Sequence, residues 1–297
     1  MLSIFPFEIS QALNKLDFNK LFEVRLRSNR PIKILYDNKW GYLTVDGFSI
    51  SIKNSYIADK DIISFVVVNA TEFSLYSATD TIIKGYIPLS NGCRIGICGE
   101  VVNVDGNIKT IKNFTSLIIR FPHSVDNSYF PFIDFIVQNK TINNTLIISP
   151  PGGGKTTLLR SIAKQLSSSF NVLIIDERQE IAGVNEGEFY FDVNDCDVIS
   201  CGNKSEVMSN AIRSCAPQII ITDEMSQDDF ISMRYAVSCG VNIITSIHAL
   251  SIENLLKKPN FEKFFSDKIF DRYIVLEGRE NPGKCNGIYD ANLSRIL

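Results

Sequence analysis

Leu146-Ile147-Ile148-Ser149-Pro150-Pro151-Gly152-Gly153-Gly154-Lys155-Thr156-Thr157 is the stretch on which the reading of this chain turns. An apolar run of strand character stops at Ser149, and two prolines and three glycines follow. Over residues 158–166 the apolar positions return at helical spacing. Strand, glycine loop and helix in that order are what a phosphate-binding loop requires. Glycines let successive backbone N–H groups curl around a phosphate without Cβ clashes, and the new helix turns its positive end to the same point. Pro151, Gly152, Gly153, Gly154, Lys155, Thr156 and Thr157 are therefore the expected nucleotide-binding residues. Lys155 is placed to reach the β- and γ-phosphates, and the Thr156 hydroxyl to ligate Mg²⁺. Ser149 departs from the strict pattern, which has glycine there. A glycine turn that binds nothing is the plainer alternative; the Lys-Thr pair between a strand and a helix argues against it.

Downstream, residues 171–176, 218–223 and 241–246 are apolar runs that end in polar or acidic residues, as buried parallel strands do. Helical stretches at about 204–215 and 228–239 separate the later ones; Gln227 or Asp228 is the expected N-cap of the second and Gly240 its stop. Alternating strands and helices predict an α/β unit whose parallel sheet is covered on both faces. Ligands of such sheets bind beyond the carboxyl ends of the strands, so Ser149, Asp176, Asp223 and Ser246 should gather on one edge.

Asp223-Glu224 at a strand end supplies the acidic pair that phosphoryl transfer needs. Asp223 holds Mg²⁺ through its water shell, and Glu224 polarises the water attacking the γ-phosphate. A buried strand with an acidic cap is the structural alternative. Asp176-Glu177-Arg178-Gln179-Glu180 is either a solvated loop or a further layer of catalytic groups, and a nearby nucleotide favours the second. Thr245, Ser246 and His248 end another strand, where a polar side chain can sense the γ-phosphate; a lone histidine is otherwise an ordinary structural residue. Past residue 250 comes a helical stretch rich in lysine and phenylalanine. A closing hairpin follows over residues 272–290, turning at Pro282-Gly283.

Upstream, residues 1–121 read as an α+β domain without a nucleotide motif. A helix is expected over residues 8–20 and an alternating strand at Glu23-Val24-Arg25-Leu26-Arg27. A turn falls at Asp37-Asn38, a helix follows Asp59, and Asp105-Gly106-Asn107 signals a hairpin. Arg25, Arg27, Arg94 and Arg120 read singly as strand-surface cations; as a set they offer charge to a neighbouring nucleotide site. Residues 122–131 carry two prolines and polar turn formers and look like the interdomain connection, with His123 an exposed linker residue. The division expected is 1–121, a linking segment 122–140, and 141–297 for the nucleotide-binding domain.

A chain of 297 residues accommodates about two domains of ~100–200 residues each. Hydrophobic residues at 45%, charged residues at 21% and a net charge of −3 are ordinary globular values that favour neither nucleic acid nor an anionic membrane. The amino terminus has no basic start before an apolar core, and no apolar run nears the ~18 residues of a membrane span. A cytoplasmic protein is expected, meeting any membrane through a partner. The seven cysteines, odd in number and scattered, are expected to be reduced and buried as small apolar groups. The C-x4-C pairs Cys93/Cys98 and Cys196/Cys201 have no histidine beside them to complete a metal site.

With these residues in hand, the chain resembles the stage III sporulation protein AA family of endospore-forming bacteria, within the wider group of type II and type IV secretion ATPases. Residues 23–31 and Gly92-Cys93-Arg94-Ile95-Gly96 are similar to stretches of that family. The most characteristic matches are residues 149–160 and Asp-Glu-Arg-Gln-Glu-Ile-Ala-Gly at 176–183; residues 211–217 also resemble the secretion ATPases. The resemblance implies a RecA-like P-loop NTPase domain preceded by a smaller α+β domain, acting on ATP with Mg²⁺. It further implies a hexameric ring at the mother-cell face of a membrane channel complex feeding the forespore, held there by the channel proteins. Glu180 falls in the family's Asp box and His248 in its His box, and Arg120 is similar to an arginine used near the phosphates. Met225-Ser226-Gln227 departs from the family, where Ile-Arg-Asp tends to follow the acidic pair. Three rivals stand beside an ATP-driven motor. A small-molecule kinase needs an arginine-rich lid that residues 250–297 lack. A nucleotide switch assembling a scaffold needs little turnover. A nucleic-acid motor needs a basic stripe, which the sequence does not have.

Overall fold

The computed structural model describes residues 2–72, 78–89, 93–104, 106–121, 131–185, 187–200, 204–226, 228–258 and 267–297. Residues 122–130 of the expected linking segment with His123, the turn residue Asp105, Gly92, Cys201, Gln227 and residues 259–266 lie outside them, whereas the rest of that segment holds a short helix, Ile133–Ile136, and a strand, Val137–Gln138. Two compact units divide the chain, Met1–His123 and Ser124–Leu297.

The first unit is built on a seven-stranded antiparallel sheet. Its order is Gly47–Ser49, Lys39–Thr44, Lys33–Tyr36, Leu21–Arg27, Asn107–Arg120, Arg94–Val104, Tyr86–Pro88. Along Leu21–Arg27 Val24 and Leu26 are fully buried while Arg25 and Arg27 stay half-buried, as the alternation predicts, but Glu23 is buried too, paired with Arg25. Asp37 and Asn38 both take left-handed φ, 50° and 59°, which suits a two-residue hairpin turn. Asp59 caps the Lys60–Ala70 helix by accepting from Ile62 N at 2.8 Å. The single helix expected over residues 8–20 is instead Phe7–Leu13 followed by a short 3₁₀ turn, Phe18–Lys20. Asp17 accepts from Asn19 N at 2.9 Å, a local bond that competes with helical continuation.

The second unit is the α/β unit. Its seven-stranded sheet runs Asp197–Ser200, Val172–Asp176, Ile219–Thr222, Asn242–His248, Thr145–Ser149, Arg272–Leu276, Cys285–Asp290. Every neighbouring pair is parallel except the last, which is the predicted closing hairpin. Side chains alternate across it. Leu146, Ile148, Leu173, Ile175, Ile220 and Ile243 enter one core with Met208 and Met233. Ile147, Ile174, Ile219, Ile221 and Ile244 enter the other with Leu158, Leu159 and Ile162 of the Lys155–Ser167 helix. Ile136 and Ile142 pack into this second core as well.

Two expectations change here. The edge strand Asp197–Ser200 was not legible, because its four residues carry only two apolar side chains, both half-buried and on opposite faces of the sheet. The helix Phe230–Ser238 starts from Asp229, not Gln227 or Asp228. Asp229 makes no cap bond of its own; its carboxylate accepts from Ser226 N and Oγ at 2.8 and 2.9 Å. Gly240 does follow the helix with a left-handed φ of 81°.

Candidate nucleotide-binding site

The P-loop is compact because its glycines leave no room for side chains. Gly152 and Gly154 have φ of 77° and 89°. A Cβ at Gly153 would lie 2.0 Å from Ser149 Oγ and 2.7 Å from the Glu277 carbonyl, and one at Gly154 would lie 2.6 Å from Gly283 N. Ser149 is fully buried and its hydroxyl donates to Pro150 O at 3.1 Å, so this residue fills space beneath the loop. The turn of the closing hairpin is part of the wall: Gly283 N donates to Gly153 O at 2.9 Å. Sequence reading placed that hairpin but not its contact with the loop. The Lys155–Ser167 helix begins at the end of this cradle, presenting its unpaired amides to it. Backbone curvature, the absence of Cβ atoms and a helix start together fit a polyphosphate.

Lys155 is buried and donates to Ser149 O and Pro150 O, each at 3.3 Å, and to His248 Nδ1 at 2.6 Å. An ammonium only donates, so Nδ1 is the acceptor and the ring proton sits on Nε2. That nitrogen faces Glu224 Oε2 at 3.5 Å. Glu224 in turn meets Arg178 Nη1 at 2.9 Å. Lysine, histidine, glutamate and arginine thus form one line across the strand ends. Parallel pairing explains it: Asn242–His248 runs between the P-loop strand and the Ile219–Thr222 strand, with Ser149 in register with His248. Burial pulls the Lys155 ammonium down to about 8, against the pull of Glu224 and Glu180 in the other direction. Burial, and then Lys155, also lower His248 and keep it neutral.

A consequence follows for pH. A phosphate needs the charged lysine, so affinity for ATP or ADP should fall about twofold at pH 8 and about tenfold at pH 9 relative to pH 7. Over the same window the stability contribution of Lys155 moves the other way. Its folded value lies below the ordinary 10.5, so the unfolded chain binds more protons between about 8 and 10.5 and folding gains as pH rises. Nucleotide titrations from pH 7 to 9.5 check this; a flat affinity would refute it.

The acidic strand end is bound more tightly than sequence suggested. Asp223 Oδ1 accepts from Glu224 N at 2.8 Å, and Oδ2 accepts from Arg178 N at 3.2 Å. Lys204 Nζ lies 3.2 Å from Asp223 Oδ1, 3.3 Å from Glu177 Oε2 and 3.5 Å from Asp229 Oδ2, and donates to the Glu224 carbonyl. Burial opposes this ammonium, yet Asp223, Asp229 and Glu177 outweigh it and hold Lys204 above its usual range. A carboxylate offers about four lone-pair positions. Three donors use Asp223, so its remaining acceptor position fits one metal-bound water.

Asp176 is a scaffold for the residues that follow it. Fully buried, it accepts from four backbone amides: Glu180 N at 2.9 Å, Ile181 N at 3.1 and 3.2 Å, Ala182 N at 2.9 Å and Gly183 N at 3.2 Å. Burial raises its carboxyl and these amides pull it back. Arg160 takes the carbonyls of the same turn, Nε to Ile181 O and Nη2 to Glu180 O, both 2.7 Å, and stacks 3.5 Å over Phe191. Burial pulls it down to about 10, which leaves it charged at neutral pH. Asp176 and Arg160 thereby fix the loop that carries Arg178 and Glu180. No arginine follows Glu224 within residues 225–226, and the guanidinium that meets Glu224 is that of Arg178; Met225 is buried and its N–H donates to Ser246 O at 2.9 Å.

Arg120 belongs to the first unit, exposed at the end of its strand, with Nε 3.6 Å from Glu23 Oε2. Among the described cysteines none is disulfide-bonded. Cys93 and Cys196 are buried as expected and their thiols are pushed up to about 12 and about 11, but Cys98, Cys215 and Cys239 are exposed. No metal-binding group of histidine, cysteine and acidic residues occurs among the described residues.

These features define a RecA-like P-loop protein with the fold of the secretion and pilus ATPases. The ATPase DotB of Legionella pneumophila superposes with a TM-score of 0.51 at 13% identity, covering 94% of this chain and 75% of that one. The pilus retraction motor PilT, solved with bound ADP, superposes with 0.53 at 12% identity, covering 86% and 74%. The sequence itself goes further: it matches the family Sporulation stage III, protein AA, over residues 3–296, and the chain belongs to that family. It is similar to stage III sporulation protein AA of Bacillus subtilis (strain 168), 31% identical over 299 residues, 97% of this chain and 93% of the relative. A partial likeness, 29% over 187 residues, covers 57% of this chain and 54% of the uncharacterized protein ycf45 of Cyanidium caldarium.

Proposed function

We propose that this chain is an ATP-hydrolysing motor of the secretion-ATPase type that works in a sporulation channel complex. The observation that supports it is the line Lys155–His248–Glu224–Arg178 running from the phosphate loop to the acidic strand end. ATP supplies the γ-phosphoryl group and Mg²⁺ spreads its developing charge. Residues 151–157 hold the phosphates, Thr156 and Asp223 the metal, and Glu224 takes the proton of the attacking water. A γ-phosphate draws Lys155 from His248, freeing Nδ1 and reporting occupancy to Glu224 through the same ring. Glu180, beside Lys155 on the Asp176 loop, and Arg120, by likeness to the family, complete the catalytic set. The working form is a hexameric ring held at the mother-cell side of the membrane by channel proteins. Among the described residues no helix is long and apolar enough to cross a membrane.

Phosphate release from ATP·Mg²⁺ by the purified chain, with its native mass measured alongside, tests this reading. Turnover that rises with ring assembly is expected. One observation favours a second reading, a nucleotide-dependent assembly switch: both Lys155 and Asp223 are held by partners within the chain. Assembly on ATP binding without phosphate release would select the switch.

A further inference from the structure

Lys204 has no place in the mechanism above, yet it is a buried charge of the acidic edge, its side chain 3% exposed. It opens the Lys204–Ser214 helix and returns its ammonium to the adjacent strand ends. There it touches three carboxylates and one carbonyl: Glu177 from the loop, Asp223 and the backbone of Glu224 from the strand end, and Asp229 from the next helix start. Four groups from three other elements converge on one nitrogen. Gathering three carboxylates, two of them buried, around one point is unfavourable without a cation among them, and proteins meet that need with a metal or a basic side chain.

We propose that Lys204 is the positioning residue of the site: its ammonium stands where a divalent ion would otherwise be needed to collect these carboxylates. It keeps Asp223 and Glu224 arranged before nucleotide arrives, and it makes divalent-cation binding at this edge wait for the phosphates. The role in turnover rests on the ATPase reading; the role against free cations does not.

Two features separate this from a purely structural ion pair. The lysine bonds the carbonyl of Glu224 itself, so its loss shifts the group that meets the attacking water. A displacement of about 1 Å there costs about 10²-fold in rate without changing how phosphates bind. Its removal also leaves Glu177, Asp223 and Asp229 as an uncompensated set, which an added cation can neutralise.

The experiment is Mn²⁺ titration of nucleotide-free protein, followed by electron paramagnetic resonance and by thermal unfolding, on wild type, Lys204→Met and Lys204→Arg. Lys204→Met should bind Mn²⁺ at least about tenfold more tightly than wild type and gain melting temperature from it, with EDTA reversing the gain. Lys204→Arg, which keeps the charge, should bind Mn²⁺ no better than wild type. In turnover, Lys204→Met should lose kcat by about 30- to 100-fold at nearly unchanged KM, and Lys204→Arg should recover part of it. Equal Mn²⁺ affinity in wild type and Lys204→Met overturns the proposal. If Lys204→Met does not fold, Lys204→Met/Asp229→Asn removes one charge of each sign and carries the same comparison. A Mn²⁺ gain in a protein that hydrolyses no ATP would sustain the clamp and reject the motor.

Discussion

Glu224→Gln should cut phosphate release by about 10²- to 10⁴-fold and leave the affinity for ATP·Mg²⁺ within about threefold of wild type. Glutamine has the shape of glutamate and keeps an oxygen for Arg178 Nη1, which lies 2.9 Å from Glu224 Oε2. The loop, Lys155 and Asp223, the proposed nucleotide-binding groups, are not substituted. What is lost is the negative charge, and with it the ability to take a proton from water. The strand end itself should not move, because Glu224 is held through its backbone: its N–H by Asp223 and its carbonyl by Lys204. The variant therefore isolates chemistry from binding. Single-turnover phosphate release beside a nucleotide titration reads both. Wild-type turnover in Glu224→Gln would remove Glu224 from the role of base and move it to Glu180.

The second large effect is on stability. Asp176→Ala leaves four backbone amides without their acceptor, three of them on the buried residues Ile181, Ala182 and Gly183. An unsatisfied buried donor costs about 1–3 kcal/mol, so a loss of at least about 4 kcal/mol is expected after water reaches some of them. Against a whole stability of about 5–15 kcal/mol that is a large share. For a unit of this size it lowers the melting temperature by about 10 °C. Asp176→Asn, which retains one oxygen, should lose about half as much. Arg160→Met attacks the same turn from its carbonyl side, so the double variant should cost less than the sum of the two. Thermal unfolding of the four proteins decides it. A loss under about 1 kcal/mol for Asp176→Ala would show that the turn does not need its carboxylate.

These two residues mark the boundary between what was legible in the sequence and what was not. The phosphate loop could be read directly, because each requirement is local: glycines where Cβ atoms cannot fit, a lysine at a helix start, a strand before them. Asp223 and Glu224 were legible for the same reason, as an acidic pair ending an apolar strand. The antiparallel first sheet followed from alternation and turn chemistry, as at Asp37-Asn38. The broken helix near Asn14 and the edge strand Asp197–Ser200 did not. Local side-chain bonds decided the first, and the second draws its register from a neighbour and not from its own four residues.

Sequence alone, then, determined which residues are candidates for phosphate chemistry and on which kind of element each sits. The block 176–183 was recognisable, and residues 176–180 read as a solvated loop or a further layer of catalytic groups; Asp176 is instead the acceptor that folds the block. Tertiary structure decided the neighbours. Strand order put His248 between Lys155 and Glu224, brought the 277–284 turn against Gly153, and carried Lys204 into the carboxylates of three other elements. The physical reason is that short-range rules act over a few bonds along the chain, whereas these contacts join residues tens of positions apart. They exist only because a parallel sheet aligns its carboxyl ends, and burial then makes each charge find a partner.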